Sequence, residues 1–234
     1  MARNDDYNPH HKYVSIEVFE RETGVHFTKN HNGKMEGMVS LSTSPLQNRF
    51  CQARAKNKKT ICSHCYAITL SQMFPSLVRM LGNNLEILSS KVIPVEQFPV
   101  LNLRFFRFEA FGDLSCVTQY RNYVNLCLRN PGTQFALWTK NPQILAQAQR
   151  QGVVKPKNLT ILVSSPLVNV EIDLAKIPLA DKSFTVYTEG YAKEHGITIN
   201  CGGRACLTCR RCYSRGGAKK IHELIKFGGV IKKA

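Results

Sequence analysis

Seven of the nine cysteines fall into two groups, and this arrangement constrains the fold more than any other feature of the chain. Three lie early in the chain and four lie near its end: Cys51, Cys62 and Cys65, then Cys201, Cys206, Cys209 and Cys212. Closely spaced thiols in a chain without a secretion signal are more often metal ligands than disulfides. The sequence therefore predicts a fold that assembles two sets of metal-binding thiols.

The second set has the spacing of an iron–sulfur site. Cys206, Cys209 and Cys212 form a C-x2-C-x2-C run, which can wrap a [4Fe-4S] cubane, and Cys201 can supply the fourth corner. The first set offers only three thiols, so one iron of a second cubane would have no protein ligand. Four cysteines also suit a structural zinc ion, which is the main competing interpretation.

Other arrangements of ligands stay open at this point. All seven thiols could surround one larger assembly, and His64 and His222 are additional candidate ligands. Cys116 and Cys127 lie eleven residues apart on a predicted helix, among apolar residues. We interpret these two as small buried hydrophobic side chains.

The formal net charge of +16 is concentrated where the cysteines are. From Cys201 onward there are nine Lys and Arg residues against Glu223 alone, and five more lie between Arg49 and Lys59 with no acidic residue. Thiolates and clusters neutralise only part of this charge. The surplus favours a nucleic-acid or phosphorylated substrate as partner; a solvated basic surface is the alternative.

The chain shows no signal peptide and no membrane span. The residues before Tyr13 are polar and charged, and the longest uncharged stretch is interrupted by His64 and Pro75. Together with the odd number of cysteines, this predicts a cytoplasmic protein with reduced thiols and no membrane partner.

Strand-like and helix-like patterns alternate along the chain, which is typical of a parallel sheet covered by helices. Strands are predicted at residues 38–44, 101–111, 134–139, 158–164 and 183–188. Helices are predicted at residues 65–73, 75–88 with a break at Gly82, 115–129, 142–149 and 217–227, the last ended by Gly228 and Gly229. Five or six strands are too few for an eight-unit barrel, so we expect an α/β fold with a partial (β/α) barrel.

The pattern also suggests a division of the chain into three parts. Residues 1–35 form an N-terminal extension and residues 36–194 form the partial barrel with the first cysteine motif. Residues 195–234 form a cysteine-rich segment for an auxiliary cluster, with the C-terminal helix. Cys51 is expected in the loop after the first barrel strand. Cys62 and Cys65 are expected where that strand gives way to the first helix, at the C-terminal barrel mouth where parallel barrels place their chemistry.

Several polar residues are expected near the carboxyl ends of the strands. Arg107 and Glu109 lie two apart on one strand, so they should share a face and could hold an amino-acid moiety or form a buried ion pair. Asp113 follows a glycine at a strand-to-helix turn and could cap the helix. Lys140 closes one strand and Ser164 closes another, positions typical both of functional loops and of ordinary turns.

Short stretches of this chain resemble radical S-adenosylmethionine proteins, and more specifically the gene product eighty-eight-like family of bacteriophage proteins. They are the Cys-Tyr-Ala turn at residues 65–67, then residues 107–114 (RFEAFGDL), 135–140 (FALWTK), 163–166 (VSSP) and the terminal cysteine run with His222. Ten residues separate Cys51 from Cys62, where the usual motif has three. The resemblance implies a [4Fe-4S] cluster on the first three cysteines, with S-adenosylmethionine on its fourth iron.

These observations lead to one hypothesis and two alternatives. The leading one is a radical-SAM-like enzyme with an electron donor as partner and with Arg107, Glu109 and Lys140 as catalytic residues. Tyr66, Asp113 and Ser164 are assigned to cofactor binding. The alternatives are a basic nucleic-acid-binding protein stabilised by iron–sulfur clusters or zinc, and a cluster or electron-transfer scaffold that does not use S-adenosylmethionine.

Overall fold

A seven-stranded sheet forms the centre of the molecule in a computed structural model that describes residues 13–226. The strands lie side by side in the order of the chain. They are β1 (Thr28–Lys29), β2 (Val39–Leu41), β3 (Phe105–Phe108), β4 (Gln134–Thr139), β5 (Leu159–Ser164), β6 (Lys182–Tyr187) and β7 (Lys220–Leu224). Only β1 runs antiparallel to its neighbour, and the sheet is open.

Helices connect most of the parallel strands. They are α1 (Ile16–Thr23), α2 (Arg49–Lys56), α3 (Tyr66–Met73), α4 (Pro75–Ser90), α5 (Val117–Arg129), α6 (Pro142–Arg150), α7 (Glu189–Glu194) and the single turn α8 (Cys206–Cys209). Residues of α1, α4, α5 and α6 are buried in one core against the sheet, represented by Phe19, Leu88, Tyr123 and Leu145. These four helices therefore cover the same face of the sheet.

The central strands are apolar on both faces because both faces are covered. Every residue of β5 is buried, as expected for a strand inside a parallel sheet. On the face away from the helices, Ala136 and Leu162 belong to a second, smaller core with Tyr213, Cys206 and Cys212. The C-terminal cysteine segment is thus packed against the sheet.

The predicted α/β architecture is confirmed, and the central elements match closely. Strand β4 has the predicted bounds, and β5, β6, α5 and α6 differ from prediction by one or two residues at an end. Strands β2 and β3 are shorter than predicted, with three and four residues. No helix is predicted at α1 and no strand at β1 or β7.

Three local predictions are wrong. Residues 220–224, predicted as part of a helix, form strand β7, because pairing with β6 buries Ile221 and completes the edge of the sheet; residues 227–229 of that prediction lie outside the described residues. Helix α4 continues through Gly82, where a Cβ would come within 2.8 Å of the Gln47 side chain. Cys51 lies on α2 rather than in a loop.

The predicted boundaries at residues 35 and 195 are not breaks in the sheet. Phe19 and Val25 from the predicted extension are buried in the main core, and β1 pairs with β2. At the other end, β7 pairs with β6. Within the described part of the chain, no helix is long and apolar enough to cross a membrane.

Candidate metal centres

The first cysteine group begins on helix α2, which is anchored to the carboxyl end of β3. The side chain of Asn48 caps α2 by accepting hydrogen bonds from the backbone N–H groups of Phe50 (2.9 Å) and Cys51 (3.5 Å). Its amide nitrogen donates to the backbone carbonyl of Asp113 at 2.7 Å. This single asparagine therefore ties the start of α2, and with it Cys51, to the loop after β3.

Cys62 and Cys65 are held at the same edge of the sheet by a short 3-10 turn, Ile61–His64. The backbone N–H of Ile61 donates to the carbonyl of Pro166, just after β5, at 2.8 Å. Burial raises the pKa of the Cys51 thiol most, and the charges of Cys65 and Cys62 raise it further. The three thiols are thus brought within electrostatic reach of each other, although Cys51 is distant in sequence.

Asp113 organises the loops beneath this group. Its carboxylate accepts hydrogen bonds from the Thr139 hydroxyl and from the backbone N–H groups of Leu114 (2.8 Å) and Lys140 (2.9 Å). Burial raises the pKa of Asp113, and the charge of Lys140 opposes that effect. Lys140 also lowers the pKa of Cys62, against the larger effect of burial. Lys140 therefore acts electrostatically on both the acid and Cys62.

Glu109 is the second buried acid near the first group. Its carboxylate accepts hydrogen bonds from Gln119 (2.6 Å) and Tyr123 of α5, and from the hydroxyl of Thr43 (2.9 Å). Burial raises the pKa of Glu109 to about 8, despite these donors. The charge of Glu109 in turn raises the pKa of Cys51.

Arg107 and Glu109 do not share a face of the sheet, so that prediction is wrong. Strand β3 ends at Phe108, and Glu109 has a left-handed backbone (φ 54°), which breaks the alternation of side chains. Glu109 points toward α5 on the helix-covered face. The Arg107 guanidinium instead lies over the ring of Trp138 and lowers the pKa of Cys206 against burial, on the opposite face.

The second cysteine group is tied to β7 and to the centre of the sheet. The backbone N–H of Cys201 donates to the carbonyl of His222 at 2.9 Å. After α8, the left-handed Arg210 (φ 56°) turns the chain so that Tyr213 is buried. Its ring contacts those of Phe105 (5.3 Å between centroids) and Trp138 (6.1 Å).

The four thiols of this group act on one another. Burial raises the pKa of Cys201 most, and the charges of Cys206 and Cys209 raise it further. Burial also raises the pKa of Cys212, to about 12, with contributions from the charges of the other three thiols. A metal-bound thiol is deprotonated, so metal uptake here would release protons.

Three cations from distant parts of the chain surround the second group. The Lys34 ammonium lies 3.8 Å from the Cys201 sulfur and also donates to Glu223. Lys182 is fully buried and donates to two backbone carbonyls. Burial lowers the pKa of Lys182, and the charge of Cys212 opposes that effect. Together with Arg107, these positive charges fit an anionic cluster held by four thiolates. Nothing in the sequence indicated Lys34 or Lys182.

The thiols of the two groups are the donor type that iron–sulfur clusters use. Among residues 13–226, no three His, Cys, Asp or Glu side chains converge closely enough to hold one metal ion. A cubane makes a different demand, because each thiolate caps its own iron.

The remaining candidate site residues are Tyr66, Ser164 and His222. The Tyr66 hydroxyl donates to the carbonyl of Ala110 and its ring contacts Phe111 (5.9 Å). Ser164 is buried at the end of β5. The ring of His222 contacts Thr198 (3.2 Å) and Glu171 (3.4 Å).

The other two cysteines lie on the helix-covered side. Cys127 is fully buried in the main core, as predicted, whereas Cys116 is only half-buried and contacts the carbonyl of Ser89 (3.8 Å).

No protein family, curated protein or solved structure compared with this chain matches it.

Proposed function

We propose that this chain is an iron–sulfur protein of radical-SAM-like architecture, with two cubane clusters. The observation that carries the proposal is the grouping of seven cysteines into three and four, with the two groups next to different parts of the sheet. The consecutive strand order with helices on one face supports a partial (β/α) barrel. In such barrels the active site lies at the carboxyl ends of the strands, and the first group is at that end of the sheet.

In this proposal the first group, Cys51, Cys62 and Cys65, holds three irons of a [4Fe-4S] cluster. A cluster bound by three thiolates supplies one-electron chemistry at an iron that is open to a small-molecule ligand, for which S-adenosylmethionine is our candidate. The fully ligated site formed by the second group would be auxiliary. Its cations, Lys34 and Arg107, would balance the charge of the cluster.

The surrounding residues would position that ligand and pair with its charged groups. Asp113 fixes the start of the loop after β4 through the backbone of Lys140. The ammonium of Lys140 acts on both Asp113 and Cys62, so it could pair with a ligand carboxylate there. Glu109 is buried and saturated with donors, so we assign it a positioning role through Thr43 and Tyr123 rather than contact with the ligand.

The decisive experiment is the iron, sulfide and zinc content of anaerobically purified protein. Two cubanes require about eight irons and eight sulfides per chain. The variant C62S should lose about half of the iron, and C206S the other half, while the control C116S retains all of it. Electron paramagnetic resonance of the dithionite-reduced protein should change when S-adenosylmethionine is added. Zinc without iron would refute the proposal.

A second candidate, a basic nucleic-acid-binding protein with structural metals, is favoured by the exposed cations beside both cysteine groups. Lys58, Lys59, Arg204 and Lys219 are all exposed. This candidate predicts nucleic-acid affinity that falls steeply with salt and does not change on addition of S-adenosylmethionine. Affinity that is weak at low salt would exclude it.

A further inference from the structure

Helix α3 presents an exposed apolar surface that nothing in the described part of the chain covers. Among residues 13–226, four of the ten exposed large hydrophobic residues fall within nine positions, at Tyr66 (58% exposed), Leu70 (37%), Met73 (63%) and Phe74 (51%). Tyr66, Leu70 and Met73 have the spacing i, i+4 and i+7, which places them on one side of the helix, and Phe74 is the residue that follows it. The opposite side, with Ala67 and Ser71, is buried.

This surface begins at the first cysteine group. Cys65 is the residue that precedes α3, and Tyr66 is the first residue of both the helix and the apolar surface. The eight residues of α3 span about 12 Å at 1.5 Å per residue. A partner bound along the helix would therefore lie beside the thiols of Cys62 and Cys65.

The charged residues in the chain segment around this surface are all basic. From residue 37 to residue 85 the chain has six Lys and Arg residues and no Asp or Glu. Arg49, Lys56, Lys58 and Lys59, in α2 and the loop after it, are exposed, and none forms an ion pair with any residue from 13 to 226. Protein–protein interfaces typically have an apolar centre surrounded by a polar rim, and they are enriched in Tyr, Phe, Met and Arg.

We propose that the apolar surface of α3, with the basic segment beside it, docks a small acidic protein that carries single electrons. This inference rests on the proposed cluster at the first cysteine group, which would receive the electron. One electron leaves the reduced carrier and one enters the cluster, with no bond made or broken. The positive rim matches an acidic partner and would accelerate its association.

The composition of the surface favours a protein over single-stranded nucleic acid. Nucleic-acid bases stack on aromatic rings, and Leu70 and Met73 offer no ring. Aliphatic and aromatic side chains together suit the apolar centre of a protein interface.

The test uses the iron-loaded full chain and a reduced acidic flavodoxin as the probe. The double variant M73D/F74D should bind the flavodoxin about tenfold or more weakly, because it places acidic groups in the centre of the surface. The rate of cluster reduction by flavodoxin, followed by absorbance, should fall to a similar degree. Reduction by dithionite, which needs no docking, should be unchanged.

A matched control places the same charges elsewhere. Leu128 (53% exposed) and Val154 (80%) are also exposed apolar residues, at the end of α5 and after α6. L128D/V154D should bind flavodoxin and accept electrons like the unmodified chain. Binding by the unmodified chain should weaken as salt rises.

Two results would overturn the docking proposal. One is equal flavodoxin binding and equal reduction rates for M73D/F74D and the control variant. The other is loss of oligodeoxythymidine binding by M73D/F74D with unchanged flavodoxin binding, which would identify a nucleic-acid surface. Iron-free protein would refute the cluster proposal instead, and the flavodoxin-binding comparison would still decide whether the surface exists.

Discussion

The guanidinium carbon of Arg107 lies 3.9 Å from the centre of the Trp138 ring, so a residue of β3 stacks on a residue of β4 next to the second cysteine group. One terminal nitrogen of Arg107 also points to the sulfur of Met35 at 3.0 Å. The charge of this arginine lowers the pKa of Cys206 and Cys212, against the larger effect of burial. Arg107 therefore lies beside the second cysteine group and away from Glu109.

Replacing Arg107 with lysine should weaken this stack. Lysine keeps the charge but loses the planar group, so we expect the free energy of unfolding to fall by about 1–2 kcal/mol, measured by urea denaturation followed by circular dichroism. The emission of Trp138, the only tryptophan in the chain, should also change. R150K, on the exposed surface of α6, is the control and should alter neither property. Unchanged emission in R107K would contradict the stacked arrangement.

Lys34 should raise the reduction potential of a cluster on the second group. Its ammonium is 3.8 Å from the Cys201 sulfur, and a nearby cation favours the more negative, reduced state. K34Q removes that charge and leaves Glu223 in place, so the potential should become more negative by on the order of 60 mV, a tenfold change for one electron.

The measurement is a redox titration of the auxiliary cluster monitored by electron paramagnetic resonance. K193Q removes a lysine that pairs with Glu189 on the surface, at 2.8 Å, and should leave the potential unchanged. Equal potentials for K34Q and K193Q would show that Lys34 does not act on the cluster.

Gly112 should be intolerant of any side chain. Its φ is +80°, and a Cβ would lie 2.5 Å from the Thr43 carbonyl oxygen and 2.8 Å from a Glu109 carboxylate oxygen. G112A should therefore lower the free energy of unfolding by about 3 kcal/mol or more, because both strain and overlap are introduced. Displacement of Thr43 and Glu109 should also reduce the iron bound by the first cysteine group.

Gly152 supplies the matched control for that substitution. Its φ is +72°, yet nothing lies within 4 Å of the Cβ position. G152A should cost only the strain of a left-handed alanine, about 1–2 kcal/mol. Thermal unfolding of both variants would separate backbone strain from steric overlap. Equal losses of stability in G112A and G152A would refute the close approach at Gly112.

Glu109 should make stability fall as the pH rises. Burial raises its pKa to about 8 in the folded chain, from an ordinary value of 4.5. The folded protein then binds more protons than the unfolded chain between these values, so this contribution is fully present below about pH 4.5 and is lost as the pH rises through about 8. The slope is at most about 1.4 kcal/mol per pH unit. Tyr123, Asp113 and Cys51 are titratable groups that interact with it.

The measurement is the urea midpoint at several pH values from 5.5 to 8.5, an interval chosen within this window. E109Q should flatten the decline. It should also be less stable at every pH, since the donors of Tyr123, Gln119 and Thr43 all face the carboxylate and an amide N–H2 cannot satisfy them. A decline as steep in E109Q as in the unmodified chain would assign the pH dependence to other groups.

Elements with strong local patterns could be predicted from the sequence. Strand β4 is a short apolar run that begins after a Pro-Gly turn, and α6 starts with a proline at its first turn, so both follow from neighbouring residues. Strand β7 could not be predicted this way. Ile221, Leu224 and Ile225 have the i, i+3, i+4 spacing of a helix, and only pairing with the edge of β6 selects the strand.

The same distinction applies to the candidate site. The sequence by itself determined the two cysteine groups, because ligand spacing is a property of the chain, and it determined the alternation of strands and helices. The tertiary structure alone decided that Arg107 and Glu109 face opposite sides, that Lys34 reaches Cys201 across 167 positions, and that Asn48 ties Cys51 to the loop after β3. The physical reason is that these contacts join residues with no local signal for one another, through a left-handed residue after β3 and through packing against a shared sheet.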